Sequence, residues 1–304
     1  MTKVCIDDFE EKLAQFVKAN CKGVEISFQK VKKNNSLILN ACVIRTSSNL
    51  APSIYLNRFI EEIDNGRDMQ DVFREILSVY EKIKINDDME LSWFMDWEQV
   101  KEKIRMKTIN RSLNKDCILV ESPNFVYLDL AVIFYVELPL VDGCGSIRIC
   151  NNHLDIWGID KRELLKQAKI NLESEEFCIQ SIENVMKERM GDQSEEVPHY
   201  GADNQLYVIT TKNRLYGSRA ILDGKTLERM SDMFGGKSYY VLPSSIHEIL
   251  ALYDTYSTEP ELHTVKALKE IVRAVNDNEV EIDELLSYSI YFYNASSKIL
   301  SIVG

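Results

Sequence analysis

A hydroxyl, an imidazole and a carboxylate stand within four residues in Leu242-Pro-Ser-Ser-Ile-His-Glu-Ile-Leu250. Ser245, His247 and Glu248 are the residue types of a nucleophile, its base and an orienting acid. Their spacing works against that use. On a helix, His247 would point about 200° around the axis from Ser245, and triad members usually come from separate parts of a chain. Ser245 and Glu248 also have the S-x-x-E spacing of a capping box, in which the serine oxygen accepts the Glu248 amide N–H and the carboxylate reaches back. That predicts a helix over 245–253 with His247 in its first turn, where the helix dipole opposes protonation. His247-Glu248 begins the zinc-protease H-E-x-x-H pattern, but Ala251 stands where the second histidine is needed. His153, His199 and His263 are isolated, with no i, i+4 partner for chelating a metal.

Other constellations also fall short. Gly235-Gly-Lys-Ser238 looks like the tail of a phosphate loop, yet position 231 is Ser rather than Gly, and strand-like Tyr239-Tyr-Val-Leu242 follows where a helix is required. A helix C-cap turn explains it better. Gly143-Cys-Gly-Ser146 is too short for a dinucleotide fingerprint and reads as a hairpin turn. The seven cysteines (5, 21, 42, 117, 144, 150, 178) contain no CxxC pair and read as reduced, buried thiols. No cofactor and no metal are expected. Asp129, inside the apolar run Val126–Val136, is the acid whose placement costs most, because a buried carboxylate must be paired or protonated. It is a candidate site residue, with Asp155 as companion. Tyr239, Tyr240, Tyr288, Tyr291 and Tyr293 suit either a partner surface or a strand.

The elements that must position these residues follow from composition and periodicity. The chain has 304 residues, 45% hydrophobic and 28% charged, values of a globular protein rather than a disordered or coiled-coil one. A net charge of −12 opposes nucleic-acid binding. The dense basic stretch Lys101–Lys107 with Arg111 reads as the solvated face of a helix over 96–113. The longest apolar run, Leu128–Val141, is too short for a membrane span, and the N-terminus has no secretory h-region, so a cytoplasmic setting is expected.

Phe9, Leu13, Phe16 and Val17 form one helical stripe over 7–20, capped by Asp7 or Asp8. Strand-like runs over 24–31 and 36–46 flank Lys32-Lys-Asn-Asn35, whose asparagines suit a positive φ. Helices follow over 53–64, closed by Gly66, and 68–85. Strands are predicted over 117–121, 125–138, 146–150 and 152–157. A helix capped by Asp160 comes next, then another over 181–190. Beyond these lie strands over 206–211, 218–222 and 238–242, helices over 225–234 and 258–276, and a final hairpin of 286–293 with 298–303. No regular βαβ rhythm appears, so the fold class is α+β with mixed sheets, packed helices and a C-terminal β-hairpin. Residues 191–204, the most polar and turn-rich stretch, read as a linker between an N-terminal α+β region (1–190) and a C-terminal one (205–304).

In order along the chain, Lys33-Asn-Asn35, Pro52-Ser-Ile-Tyr-Leu-Asn57 with Gly66, Asn114, Asp129-Leu-Ala-Val132, Asn152-His-Leu with Trp157-Gly158, Leu242–Glu248 and Leu286-Ser-Tyr-Ser-Ile-Tyr291 fall as in an uncharacterised bacterial family. The chain resembles domain of unknown function family 5688 over essentially its whole length, and Leu-Pro-Ser-Ser-Ile-His-Glu is the most specific element. Residues 146–172 are also similar to a second uncharacterised bacterial family. The chain departs from the expected Thr-Asn at Thr211-Lys212. The resemblance implies a bacterial, cytoplasmic protein, often in mobile-element surroundings, and supplies no activity. The expected function is therefore a non-enzymatic interaction or regulatory protein with a protein partner, no nucleic acid and no membrane. The alternative is a hydrolase or transferase using His247 or Glu248 with a distant acid such as Asp129. A third reading places a small ligand near 191–204.

Overall fold

The computed structural model describes residues 4–46, 51–83, 92–140, 143–190, 204–254 and 260–304. The chain forms two compact units. The first comprises Met1–Lys33, Leu37–Gln99 and Pro139–Gly145, and the second Asn34–Ser36, Val100–Leu138 and Ser146–Gly304.

In the first unit, α1 (Ile6–Asn20) buries Phe9, Leu13 and Val17 as the stripe predicts. Its N-cap is Cys5, and Asp7 and Asp8 lie in the first turn, where carboxylates oppose the positive end of the dipole. Strands β1 (Glu25–Lys32) and β2 (Ile38–Arg45) pair antiparallel from Glu25↔Arg45 to Lys32↔Ile38, and β3 (Ser53–Tyr55) adds to β2. The helix expected over 53–64 begins only at α2 (Asn57–Asp64), because Ser53–Tyr55 is held in the sheet. α3 (Met69–Ile83) completes the unit, and Phe9 packs edge-on to Phe73 with centroids 5.4 Å apart.

After α4 (Trp97–Val100) the helix predicted over 96–113 gives way to β4 (Ile104–Asn110). Ile104, Met106 and Thr108 are buried while Arg105 and Lys107 are not, a period of two that outranks the helical reading of the same residues. α5 (Arg111–Asn114) and α6 (Ile118–Glu121) follow, the latter replacing a predicted strand. The sheet built from β4, β5 (Phe125–Tyr127), β6 (Leu130–Leu140) and β7 (Gly143–Arg148) runs β4-β6-β5, with β7 also on β6. Gly143–Ser146, expected as a turn, lies within β7.

The strand predicted over 152–157 is α7 (Asn151–Trp157), ended by Gly158 at φ 66°. α8 (Lys161–Glu173) starts as predicted, its first amides satisfied by the Asp160 carboxylate. β8 (Phe177–Ser181) and α9 (Ile182–Met190) precede the expected linker, of which residues 191–203 lie outside the described residues. β9 (Asn204–Thr211) pairs antiparallel with β8. The strands flanking that stretch thus share one sheet inside the second unit, and the division between the compact units falls elsewhere.

The strand predicted over 218–222 is instead a 3₁₀ turn, Gly217–Leu222, followed by α10 (Gly224–Met233). β10 (Tyr239–Ser245) and β11 (Glu248–Asp254) form a hairpin. α11 (Leu262–Glu279), β12 (Tyr291–Asn294) and β13 (Ile299–Ile302) finish the chain. The resulting six-stranded sheet has the order β13-β12-β10-β11-β9-β8 and ends in the predicted hairpin. Antiparallel sheets with segregated helices make this an α+β fold.

Candidate functional site

His247 sits in the tight turn between β10 and β11, not on a helix. The capping box cannot form there: Ser245 and Glu248 face each other as a strand pair, and Leu250 and Leu252 are held against β9 and β10. The Ser245 hydroxyl accepts the His247 backbone N–H at 3.0 Å, so it is bound to the main chain rather than to the ring. The ring has its own partners. Its Nδ1 accepts the Tyr216 backbone N–H at 3.2 Å, which leaves the proton of the neutral ring on Nε2. Nε2 faces Glu284 Oε1 at 3.5 Å. The imidazole stacks on Tyr216, with centroids 5.4 Å apart and planes 16° apart, and the Lys107 ammonium lies 3.9 Å from the centre of the same tyrosine ring. Tyr216 is held at φ 52°, a left-handed conformation uncommon for a tyrosine.

Burial pushes the His247 pKa below its ordinary value, with Lys107 adding to the shift and Glu284 and Asp283 opposing it. The unfolded chain therefore binds the proton more readily than the folded one. Stability contributed by neutral His247 is complete above about pH 6.5 and falls as the pH drops through and below that value. His247→Asn keeps an acceptor for the Tyr216 amide but does not titrate. Urea unfolding at pH 7.5 and 5.5 should show a smaller loss on acidification in His247→Asn than in the wild type. Equal losses in the two proteins would remove His247 as the cause.

Asp129 is not inside the central strand but in the turn between β5 and β6. Its carboxylate accepts three hydroxyls: Ser287 Oγ at 2.6 Å, Ser289 Oγ at 2.9 Å and Tyr291 Oη at 2.5 Å. Burial, together with Asp129, keeps the Tyr291 phenol protonated. The acid beside His247 is thus Glu284, while Asp129 binds residues 287–291 of the following stretch. Asp155 is exposed on α7 and is not among these partners.

Asparagines extend the pattern around the irregular segment 281–290. Asn35, at φ 57° as its turn predicts, donates through Nδ2 to the carbonyls of Ile282 and Leu285, both at 2.7 Å. Buried Asn114 accepts the Asn35 amide N–H at 2.9 Å and donates to Asn35 Oδ1 at 2.8 Å. Asn110 and Asn276 donate to the carbonyls of Leu286 and Ser287, each at 2.9 Å. Only Asn35 is read from the sequence as a turn former; Asn35, Asn110 and Asn276 all donate to this one segment, from sequence distances of 247, 176 and 11 residues, and Asn114 braces Asn35.

The remaining sequence candidates divide plainly. His153 Nδ1 accepts the Cys150 amide N–H at 3.1 Å, His263 is exposed on α11, and His199 lies outside the described residues. Among the described residues no group of three or more His, Cys, Asp or Glu could hold a metal ion. Gly235 and Gly236, at φ 71° and 74°, close α10 as a C-cap turn. Tyr239, Tyr240, Tyr291 and Tyr293 are at most 2% exposed and belong to the core, leaving Tyr288 at the surface. Burial raises the Cys42 thiol to about 12, so it is inert.

One concave site is not legible in sequence. A cleft of about 530 Å³ opens in the second unit between β5, one face of α8 and the start of α10. Its walls are mainly apolar, with Val126, Leu165 and Leu172 among them, and Lys169, Glu173 and Lys225 add charge.

Over residues 6–295 the chain matches a family of unknown function, DUF5688, and it belongs to that family. No curated protein and no solved structure matches it.

Proposed function

We propose that this member of the DUF5688 family acts by binding, as an interaction or regulatory protein, rather than by catalysis. The observation that carries the reading is the state of His247: Nδ1 takes a backbone N–H, Nε2 faces Glu284, and the neighbouring Ser245 hydroxyl is bound to the main chain. A general base needs a free nitrogen aimed at the proton it will take. The Asp129 carboxylate is likewise occupied by three hydroxyls. Among the described residues no helix is long and apolar enough to cross a membrane. We place the protein in the bacterial cytoplasm, with a protein partner and a mobile-element setting.

Reaction with a fluorophosphonate probe tests this directly. The expected outcome, read by intact mass, is no adduct on Ser245 after prolonged incubation. An adduct on Ser245 that disappears in His247→Asn would show an activated serine and overturn the binding reading.

A further inference from the structure

We propose that the cleft between β5, α8 and the start of α10 takes a compact amphipathic monoanion, an apolar body carrying one carboxylate or sulfonate group. The proposal rests on the binding reading above and names the chemistry of what is bound. Its size is the first support, since about 530 Å³ lies inside the range of roughly 300–1,000 Å³ typical of small-molecule sites. α8 places Leu165, Lys169 and Leu172 at 0, +4 and +7, so one stripe of the helix lines the cleft. Across from it Val126 of the short strand β5 is 57% exposed. Apolar surface held open to water in a concave site gains by covering.

Charge gives the second support. Lys169 and Lys225 bring two ammonium groups to the lining. The Asp223 carboxylate, which would oppose an anion, is buried and already accepts the Lys225 and Thr226 amides at 3.3 and 3.1 Å and the Thr226 hydroxyl at 2.6 Å. The carbonyl of Glu173 accepts Lys225 Nζ at 3.3 Å, which ties that ammonium to the end of α8 that lines the cleft. Of the lining acids, only Glu173 is exposed.

The third support is Gly224, the first residue of α10. A Cβ built there would meet nothing within 4 Å, and its φ lies outside the left-handed region. Neither packing nor backbone conformation calls for glycine at this first helical position. A bare backbone at the lining of a cleft lets a headgroup approach closely.

The test uses the full chain, anilinonaphthalene sulfonate as fluorescent probe, and decanoate and decanol as competitors. Saturable probe binding with native near-UV dichroism is expected, since a loosely packed chain would bind the dye without that signal. Decanoate should displace the probe at roughly tenfold or more lower concentration than decanol, because only it meets the lysines. Lys169→Glu with Lys225→Glu should remove that preference, and Val126→Asp at its exposed position should weaken both competitors. No saturable binding, equal displacement by the acid and the alcohol, or indifference to Val126→Asp would each overturn the proposal. A chain that binds no probe yet stays free of the fluorophosphonate adduct loses the cleft and keeps the binding reading. A labelled chain that still binds decanoate does the reverse.

Discussion

Gly217→Ala is expected to destabilise the second unit by about 3 kcal/mol or more, with a fall in Tm on the order of 10 °C. A Cβ at residue 217 would stand 2.5 Å from the His247 carbonyl oxygen, 2.5 Å from Thr210 Oγ1 and 2.6 Å from Thr210 Cα. Two of these are main-chain atoms on either side of the ladder that pairs β9 with β11, so no side-chain rotation relieves the clash. The same spot carries a dense set of bonds. The Gly217 amide N–H and the Thr210 hydroxyl both donate to the His247 carbonyl, at 2.9 and 2.7 Å, and the Ser218 hydroxyl donates to the Ile246 carbonyl at 2.7 Å. Displacing residue 217 strains this clasp and the neighbouring Tyr216 amide that holds the His247 ring. Gly235→Ala is the control: it meets no atom within 4 Å but sits at φ 71°, and should cost only about 1 kcal/mol. Thermal unfolding of the two variants separates the cases, and a Gly217→Ala protein as stable as Gly235→Ala would show that the clasp yields.

How much of this was legible in the sequence depends on the range of the forces involved. α1, α3 and α8 carry their own apolar stripes and caps, and Asn35 takes the left-handed turn its residue type favours, so local rules suffice. Residues 104–110 and 245–253 contain both a helical and an alternating pattern. Pairing decides between them: Ile104 lies opposite Val136, and Ile249 opposite Ile209, and neither partner is nearby in sequence. The Leu242–Glu248 element was visible as distinctive but not as a hairpin turn, because its S-x-x-E spacing fits a cap equally well. Residue type and placement mark His247 and Asp129 in the sequence, but not their partners, Glu284 and the hydroxyls of residues 287, 289 and 291. Glu284, Ser287 and Ser289 lie in irregular backbone, although the alternation of 286–293 predicts a strand there; the strand β12 begins only at Tyr291. The cleft is a property of three elements together, and nothing in the local run of Leu165, Lys169 and Leu172 announces it.

Glu175→Ala should cost the protein about 3–5 kcal/mol, because it leaves a buried guanidinium without its counter-charge. Arg219, whose side chain is 6% exposed, donates from Nε to Glu175 Oε2 at 2.7 Å, and Arg105 Nε lies 3.1 Å from Glu175 Oε1. One carboxylate thus ties β4, the turn before β8 and the 3₁₀ turn at 217–222. Arg219 carries the effect further, since its Nη1 also donates to the carbonyls of Leu215 and Tyr216, at 3.1 and 3.0 Å. Those bonds help to hold Tyr216 in its left-handed conformation, with its amide N–H on His247. The loss should therefore appear in two readouts: a lower urea midpoint, and a weaker near-UV dichroism from Tyr216 as its ring loses its fixed stacking on His247. Replacing the pair together by Glu175→Leu and Arg219→Met should cost clearly less than the sum of the single changes, because no charge is then left buried alone. Additive costs in that double-mutant cycle would show that the pair is not coupled, and that the guanidinium is carried by its carbonyl bonds alone.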